Sequence, residues 1–460
     1  MKDVIMNIIR YTIVPILILI GLTGCGRKQD SMPDVLFIII DSLRSDHVGF
    51  AGYARAASDC IDSLAQAGIG FSACSAQAPM TAPSVPSMLF GRYPSSTFQK
   101  STLRLPDGTT HKQAVILSST LPSLPTILKA NGYTTGAFVT NMVVKEKIVG
   151  IKDQFDTFDA DMLCAVDTCA SRINERAISW LDSLPSKPWF CYIHYMDVHL
   201  PYDPPSEYCT HFSEYYGTLP PVHPRWLDSL ETHGGVTPEI LHHIKGMYDA
   251  SIAYVDDEIC SLIKSLDSRG MTDNLLIVIS SDHGDAFMEH GRFKHAHSLY
   301  EELTRCPLVI SWRNRTDGGI RHDKWVENID IVPTVLDLLG VPIPQTVQGK
   351  SLVPAFSSTP HEFGTSYSEQ IGRAVRKEKW KLWEKPDGRT LLFDLDADPL
   401  ERNNLQSQVP DTARRLRDLL DNWVTSQQIP EIDTGDRDDV FLDSTTVHML
   451  RSLGYLEEQP

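Results

Sequence analysis

The feature that most constrains this chain is the apolar run at 35–40, Val-Leu-Phe-Ile-Ile-Ile, which stops abruptly at Asp41. Alternation of apolar and polar residues marks a strand with one wet face, whereas an unbroken β-branched run marks a strand buried on both faces of a parallel sheet. Similar runs recur at 134–140, 189–194 and 275–280. Between them, apolar residues at helical spacing fall at 61–67, 124–130 and 240–266. Ser123 is placed to cap the second of these helices, Pro125 lies in its first turn, and Asn131-Gly132 ends it. This alternation predicts an α/β domain over residues 34–355, with a central, mainly parallel sheet flanked by helices. In such sheets ligands gather at the carboxyl ends of the strands.

After residue 355 the pattern changes. Segments 373–383 and 389–395 read as paired antiparallel strands and 412–424 as an amphipathic helix, giving a small C-terminal α+β subdomain at 356–425. An acidic tail, 426–460, contains an amphipathic stretch at 447–456 that is expected to dock on the body.

At the other end, Lys2 and Arg10 flank the start of an apolar run at 11–21, and Leu22-Thr23-Gly24-Cys25 sets a small residue before a cysteine. That order is the pattern of a bacterial lipoprotein signal peptide, residues 1–24. The run is also short against the roughly 20 residues that a spanning helix needs. Cys25 is then the lipidated residue and 25–33 a polar tether. The expected location is the cell envelope, lipid-anchored and periplasmic or surface-exposed, with membrane contact through the lipid.

A net charge of -17 and the lack of any long Lys/Arg run argue against nucleic acid as a partner. None of the remaining cysteines forms a CxxC pair of the kind that holds structural zinc. Export would permit disulfides, with Cys164 and Cys169 the nearest pair, while Cys191 and Cys306 lie in apolar runs that suit buried thiols.

Two carboxylates sit where chemistry is expected. Asp41 follows the first strand, and Asp282-His283 follows the strand at 275–280. Either acid alone can be a helix cap. Carboxylate and imidazole together suit a divalent ion such as Zn or Mn better than Ca, which prefers oxygen-only sites. A third segment, Ala78-Pro79-Met80-Thr81-Ala82-Pro83-Ser84, leads small residues and prolines into an apolar stretch, where a hydroxyl can start a helix and face the metal.

The order of Asp41, this segment and Asp282-His283 resembles the sulfatase family of the alkaline phosphatase superfamily. Gly91-Arg92-Tyr93-Pro94, His199-Leu200-Pro201-Tyr202, Tyr300-Glu301-Glu302, Asp330-Ile331-Val332-Pro333-Thr334 and Gln348-Gly349-Lys350-Ser351-Leu352 fit the same pattern, as does Leu392-Phe393-Asp394-Leu395. The departures are specific. The formylglycine-dependent enzymes carry Cys-x-Pro-Ser-Arg, where this chain has Thr81-Ala82-Pro83-Ser84-Val85. Ser42 replaces a second Asp, His283 replaces an Asn, and no Lys-x-His pair appears near Phe138-Val139-Thr140-Asn141.

What the resemblance implies is a threonine-type relative, in which Thr81 attacks an anionic ester and forms a covalent adduct. Asp41, Thr81, Asp282 and His283 would share one metal. His199 and His295 would hold a second metal or grip ligand oxygens, whereas His194 suits a structural role equally well. His290 reads as loop structure and His297 as a neighbour without a role, while Asp249 and Asp256 read as solvent-facing or paired with Arg or Lys, with service to a second metal as the alternative for one of them. The favoured reaction is hydrolysis of phosphoesters, phosphodiesters or phosphonates, or phospho-group transfer. The alternatives are a sulfuric ester hydrolase without formylglycine and a non-catalytic lipoprotein that binds metal and glycan. Expected partners are an anionic ester, a glycan or another envelope component. The aromatic-rich loop 202–237 suits either a sugar or aryl platform or a surface loop packed on itself. Growth with labelled palmitate is expected to tag the wild-type chain and not Cys25→Ala; equal labelling would remove the lipidation site.

Overall fold

The computed structural model describes residues 32–452, apart from 56, 118–119, 145–147, 161–168, 186–187, 314, 317, 357–363 and 428–438. Cys25, its apolar leader and Cys164 therefore lie outside the described residues, as does the end of the 447–456 stretch. Residues 33–460 form one unit.

The first run forms β1 (Asp34–Ile40), buried along its whole length. The other strands of the main sheet are β2 (Ile69–Ser75), β3 (Thr134–Val139), β4 (Thr157–Asp159), β5 (Trp189–Tyr195), β6 (Leu275–Ser280), β7 (Arg305–Trp312), β8 (Ile320–His322) and β9 (Val326–Glu327). Their order across the sheet is β8-β2-β7-β6-β1-β5-β3-β4, with β9 also on β2. All pairings are parallel except those of β7, which runs against both β2 and β6. The expected mainly parallel sheet is thus present, with one reversed strand.

Burial on both faces explains the unbroken runs. Val35, Phe37 and Ile39 join Phe190, Tyr192 and Val278 in the core on one face. Leu36, Ile38 and Ile40 join Cys191, Ile193, Ile277 and Ile279 in the core on the other. Each such side chain contributes about 1.5–3 kcal/mol of burial free energy. The sheet's position is therefore fixed from both sides, and so is the edge on which the strands end.

Four helices concern the site and its support: α1 (Asp59–Ala67), α2 (Thr81–Phe90), α3 (Cys169–Ser183) and α4 (Pro238–Ser268). The helix at Leu124–Ala130 starts at Ser123, whose hydroxyl and Thr126 form a capping box. The C-terminal region is a four-stranded antiparallel sheet, Thr365–Gln370, Gly372–Lys377, Trp380–Glu384 and Thr390–Asp394. Pro410–Ser426 packs on it as a helix through Leu416, Leu420 and Trp423. The single strand expected at 373–383 is in fact two, because the chain reverses at Glu378, which adopts the left-handed conformation at φ 55°. Val447 and Leu450 of the tail enter the main core.

The two acids of α4 meet their expectation in part: neither faces solvent, and Asp249 does pair with an arginine, Arg55. Asp249 is buried and paired, bonding to His47 at 2.7 Å, Tyr53 at 2.7 Å and Arg55 at 3.0 Å. Asp256 is buried too, and it accepts the backbone N–H groups of Cys60 at 2.7 Å and Ile61 at 2.9 Å, so a carboxylate of α4 caps α1. Close by, Cys60 and Cys260 form a disulfide across a sequence separation of 200 residues. Spacing along the chain carries no trace of that pairing. Cys169 is also disulfide-bonded, whereas Cys191 and Cys306 are buried free thiols, as their apolar runs suggest.

Because Cys60–Cys260 closes a very long loop, Cys60→Ala/Cys260→Ala is expected to lose about 2–4 kcal/mol of stability. Thermal unfolding under non-reducing conditions measures it, and an unchanged Tm would show that the bridge constrains little.

Candidate active site

Four neighbouring strands end on one edge of the sheet, and each delivers a polar side chain there. β1 leads to Asp41, β3 to Asn141 and β6 to Asp282 and His283, while β5 carries His194. All five are buried. The turn after β1 is tight, with Ser42 in the left-handed conformation at φ 61°. This aims the Ser42 N–H at Asp282 Oδ1 (3.2 Å) and its hydroxyl at Asp41 Oδ1 (3.0 Å). Asn141 donates its amide to Asp41 Oδ2.

Thr81 is the first residue of α2, and its hydroxyl lies 3.2 Å from His283 Nε2. The segment before it is pinned: Ser84 Oγ donates to the Ala78 carbonyl at 2.8 Å, and Ala296 N–H donates to that of Pro79 at 2.9 Å. The positive end of a helix favours negative charge, so an alkoxide on Thr81 would sit in a favourable field.

His283 sets the polarity of the site. Its Nδ1 lies 2.9 Å from the Gly284 carbonyl, which places a proton there, so that in the neutral ring the lone pair is on Nε2. That lone pair faces Thr81 Oγ1, Asp41 Oδ1 at 3.6 Å and Asp282 Oδ2 at 3.5 Å. His194 adds a second nitrogen: its Nδ1 meets Tyr192 Oη at 3.1 Å and its Nε2 lies 3.4 Å from Asp41 Oδ2. Ligand atoms of Asp41, His194 and Asp282 all lie within 4.8 Å of one another. Asp282 Oδ2 and His194 Nε2 are buried without a hydrogen-bond partner. Converging buried acceptors without donors are costly unless a cation joins them, so these residues fit a divalent metal.

The charges respond to the crowding. Burial pushes the Asp41 carboxyl upward, yet His199, His194 and His283 outweigh it and hold Asp41 well below the usual carboxylate range. Asp282 moves the other way, raised by burial and then by the Asp41 charge. Burial lowers His283, but Asp282 and Asp41 more than restore it and leave it raised.

Two more histidines flank the cluster. The His295 ring lies 4.4 Å from that of His283 and 5.0 Å from that of His199, and its Nδ1 is 3.4 Å from Asp285 Oδ1. Burial and then His283 push its pKa down to about 4, so it is neutral at neutral pH. His199 Nδ1 is 2.6 Å from the Leu200 carbonyl, and Tyr202 donates its hydroxyl to Asp285 Oδ2. The structure thus brings Asp41, Thr81, Asp282 and His283 together and sets His199 and His295 beside them. His290 instead pairs with Glu302 at 2.8 Å and stacks on Tyr300, and His297 bonds to the Lys294 carbonyl. In loop 202–237, Tyr202 and Phe212 are buried and Tyr208 is tied to Asp257, which favours the self-packed arrangement.

Sequence reasoning leaves out Asn141 and Asp285 and holds His194 undecided. The available signal for His194 and Asn141 is position, since both lie at the carboxyl end of a buried strand.

A family model described as Sulfatase matches residues 33–341, and one described as N-sulphoglucosamine sulphohydrolase, C-terminal, matches 288–426. Delta 4,5-hexuronate-2-O-sulfatase of Bacteroides thetaiotaomicron is 24% identical over 459 residues, covering 88% of this chain and 92% of that protein. Arylsulfatase K of Bos taurus is 28% identical over 287 residues, covering 53% of this chain; the chain spans about half of that relative, 52%. The solved phosphonate monoester hydrolase of Agrobacterium radiobacter superposes with a TM-score of 0.70 at 18% identity, over 86% of this chain and 96% of that one.

If His194 is a ligand, His194→Ala weakens Zn binding by about tenfold or more while the protein stays folded. Competition with a chromophoric chelator reads this directly, and wild-type affinity in the variant would remove His194 from the donor set.

Proposed function

Since this chain belongs to the sulfatase family, we propose that it is a metal-dependent hydrolase of anionic esters in which Thr81 is the nucleophile. The observation that carries this is the 3.2 Å approach of Thr81 Oγ1 to a His283 Nε2 whose lone pair also faces two buried carboxylates. The favoured substrates are phosphoesters, phosphodiesters or phosphonates, with transfer of the phospho group to an acceptor alcohol as the variant outcome.

Asp41, His194, Asp282 and His283 would hold the ion, with Thr81 completing the set, and the two imidazoles favour Zn or Mn over Ca. When bound, the metal lowers the pKa of the threonine hydroxyl and neutralises charge on the substrate's oxygens. The chain's own residues do the rest. The α2 N-terminus stabilises negative charge on Thr81 Oγ1. With its proton given up to solvent, that oxygen attacks the central atom of the ester; a bond to that atom forms, the bond from it to the ester oxygen breaks, and the leaving alkoxide takes a proton from water and departs as the alcohol. Neutral His295, with His199 beside it, is positioned to hold the transferred group's oxygens. Threonine has one hydroxyl, so the adduct is released only by a second attack at the central atom, by water or by an acceptor alcohol.

A second reading, hydrolysis of sulfuric esters, is favoured by the names of relatives such as the hexuronate sulfatase. A purely binding role fits less well, because Thr81, Asp41, Asp282 and His283 are all present and converge in one buried cluster.

We also propose that the protein works in the cell envelope, held by lipid on Cys25. The Cys60–Cys260 disulfide supports export, because such bridges persist in oxidising compartments.

Hydrolysis of matched nitrophenyl phosphate, phosphodiester, phosphonate and sulfate esters, with Zn, Mn or Ca and with chelator, separates the readings. Chelator-sensitive turnover of a phosphorus ester is expected, and Thr81→Ala is expected to lower kcat/KM by about a thousandfold or more while keeping fold and metal. Full activity in that variant would sink the mechanism; turnover of sulfate alone would select the second reading.

A further inference from the structure

The loop that carries His295 is held in an unfavourable backbone shape. Two short antiparallel strands, Ala286–Phe287 and Phe293–Lys294, pair as a hairpin. Within and just after it, Met288, Lys294 and Ala296 take the left-handed conformation, at φ 67°, 66° and 65°, although none is glycine. His295 stands between the last two. Residues with a β-carbon seldom adopt this conformation, and it persists only where surrounding contacts enforce it.

Two sets of contacts enforce it here, one on each side of His295. The helix Pro224–His233 is anchored in the core by Leu227 and Leu230. Its Asp228 and Glu231 are three positions apart and so share one face. That face takes hold of the two residues directly before His295: Glu231 accepts the Phe293 N–H at 2.5 Å, and Asp228 accepts Lys294 Nζ. Glu231 also lies 3.6 Å from Arg292 Nε. On the other side, Ala296 N–H donates to the Pro79 carbonyl at 2.9 Å, two residues before Thr81. His295 is thereby suspended between this helix and the segment that delivers the nucleophile. The Asp228 side chain is 58% exposed, so its ion pair adds little to stability. Its effect lies instead in where it acts, on the residue next to His295.

We propose that Asp228 and Glu231 are positioning residues, which fix the backbone at Phe293 and Lys294 and so hold the His295 ring beside Thr81 and His283. The placement of His295 stands on the geometry alone; its part in turnover rests on the catalytic reading.

The test compares the full wild-type chain with Asp228→Ala/Glu231→Ala, each with and without His295→Ala. Alanine is a good helix former, so the helix is kept. In metal-free protein with isotope-labelled histidine, the His295 ring signal, assigned by its loss in His295→Ala, is expected to shift or broaden in the double variant while that of His322 on β8 stays put. In zinc-loaded protein, calorimetric affinity for inorganic phosphate or sulfate is expected to fall about tenfold, and not to fall further where His295 is already alanine. Asp228→Asn/Glu231→Gln, which keeps both acceptor oxygens, should recover most of the loss. Asp228→Ala alone, at an exposed position that leaves the fold intact, should shift the ring signal in the same sense by less. An unmoved His295 signal, or an equal fall in affinity with and without His295, would overturn the proposal. The same ring and affinity changes in a protein that cleaves no ester would retain the positioning role and remove the catalytic reading.

Discussion

Everything around the site answers to one electrostatic constraint: two carboxylates and two imidazoles meet, fully buried, at the ends of adjacent strands. Asp41 and Asp282 are both completely buried, and an uncompensated pair of charges there would cost several kcal/mol. Hydrogen bonds to Ser42 and Asn141 offset part of this for Asp41. They do not reach Asp282 Oδ2 or His194 Nε2, whose lone pairs stay unused. A cation in their midst resolves the conflict and in the same stroke brings Thr81 next to positive charge.

The supporting shell is built to hold that geometry. Asn328 donates to the Ser281 carbonyl at 2.8 Å and accepts Ser280 Oγ at 3.0 Å, fixing the peptide just before Asp282. Tyr248 of α4 donates to the Ser42 carbonyl at 2.8 Å and accepts Arg44 N–H at 2.9 Å, bracing the strained turn from the other side. The Asp256 cap and the Cys60–Cys260 bridge tie α1 to that same helix. Scaffold stability and site geometry thus meet in α4.

How much of this the sequence discloses depends on which forces are local. Strand burial, helix caps and strand-end carboxylates are written in neighbouring residues, so β1, β6, the Ser123 cap, Asp41 and Asp282-His283 can be read directly. Thr81 is legible only through its resemblance to a family motif, since Met80 and Pro83 give no ordinary cap pattern. His194 could not be decided because one histidine at the end of a buried strand looks alike as core or as ligand until Asp41 is found 3.4 Å away. Asn141, Asp256 and the disulfide are pairings across long separations, which no local pattern encodes.

The central claim is that Thr81 becomes covalently modified during turnover. The most direct measurement is mass spectrometry of protein quenched while turning over a slow phosphorus ester. The account predicts one added phosphoryl group on the peptide that carries Thr81, lost when chelator is present. An unmodified Thr81 peptide under active turnover, or the adduct on another residue, would contradict it.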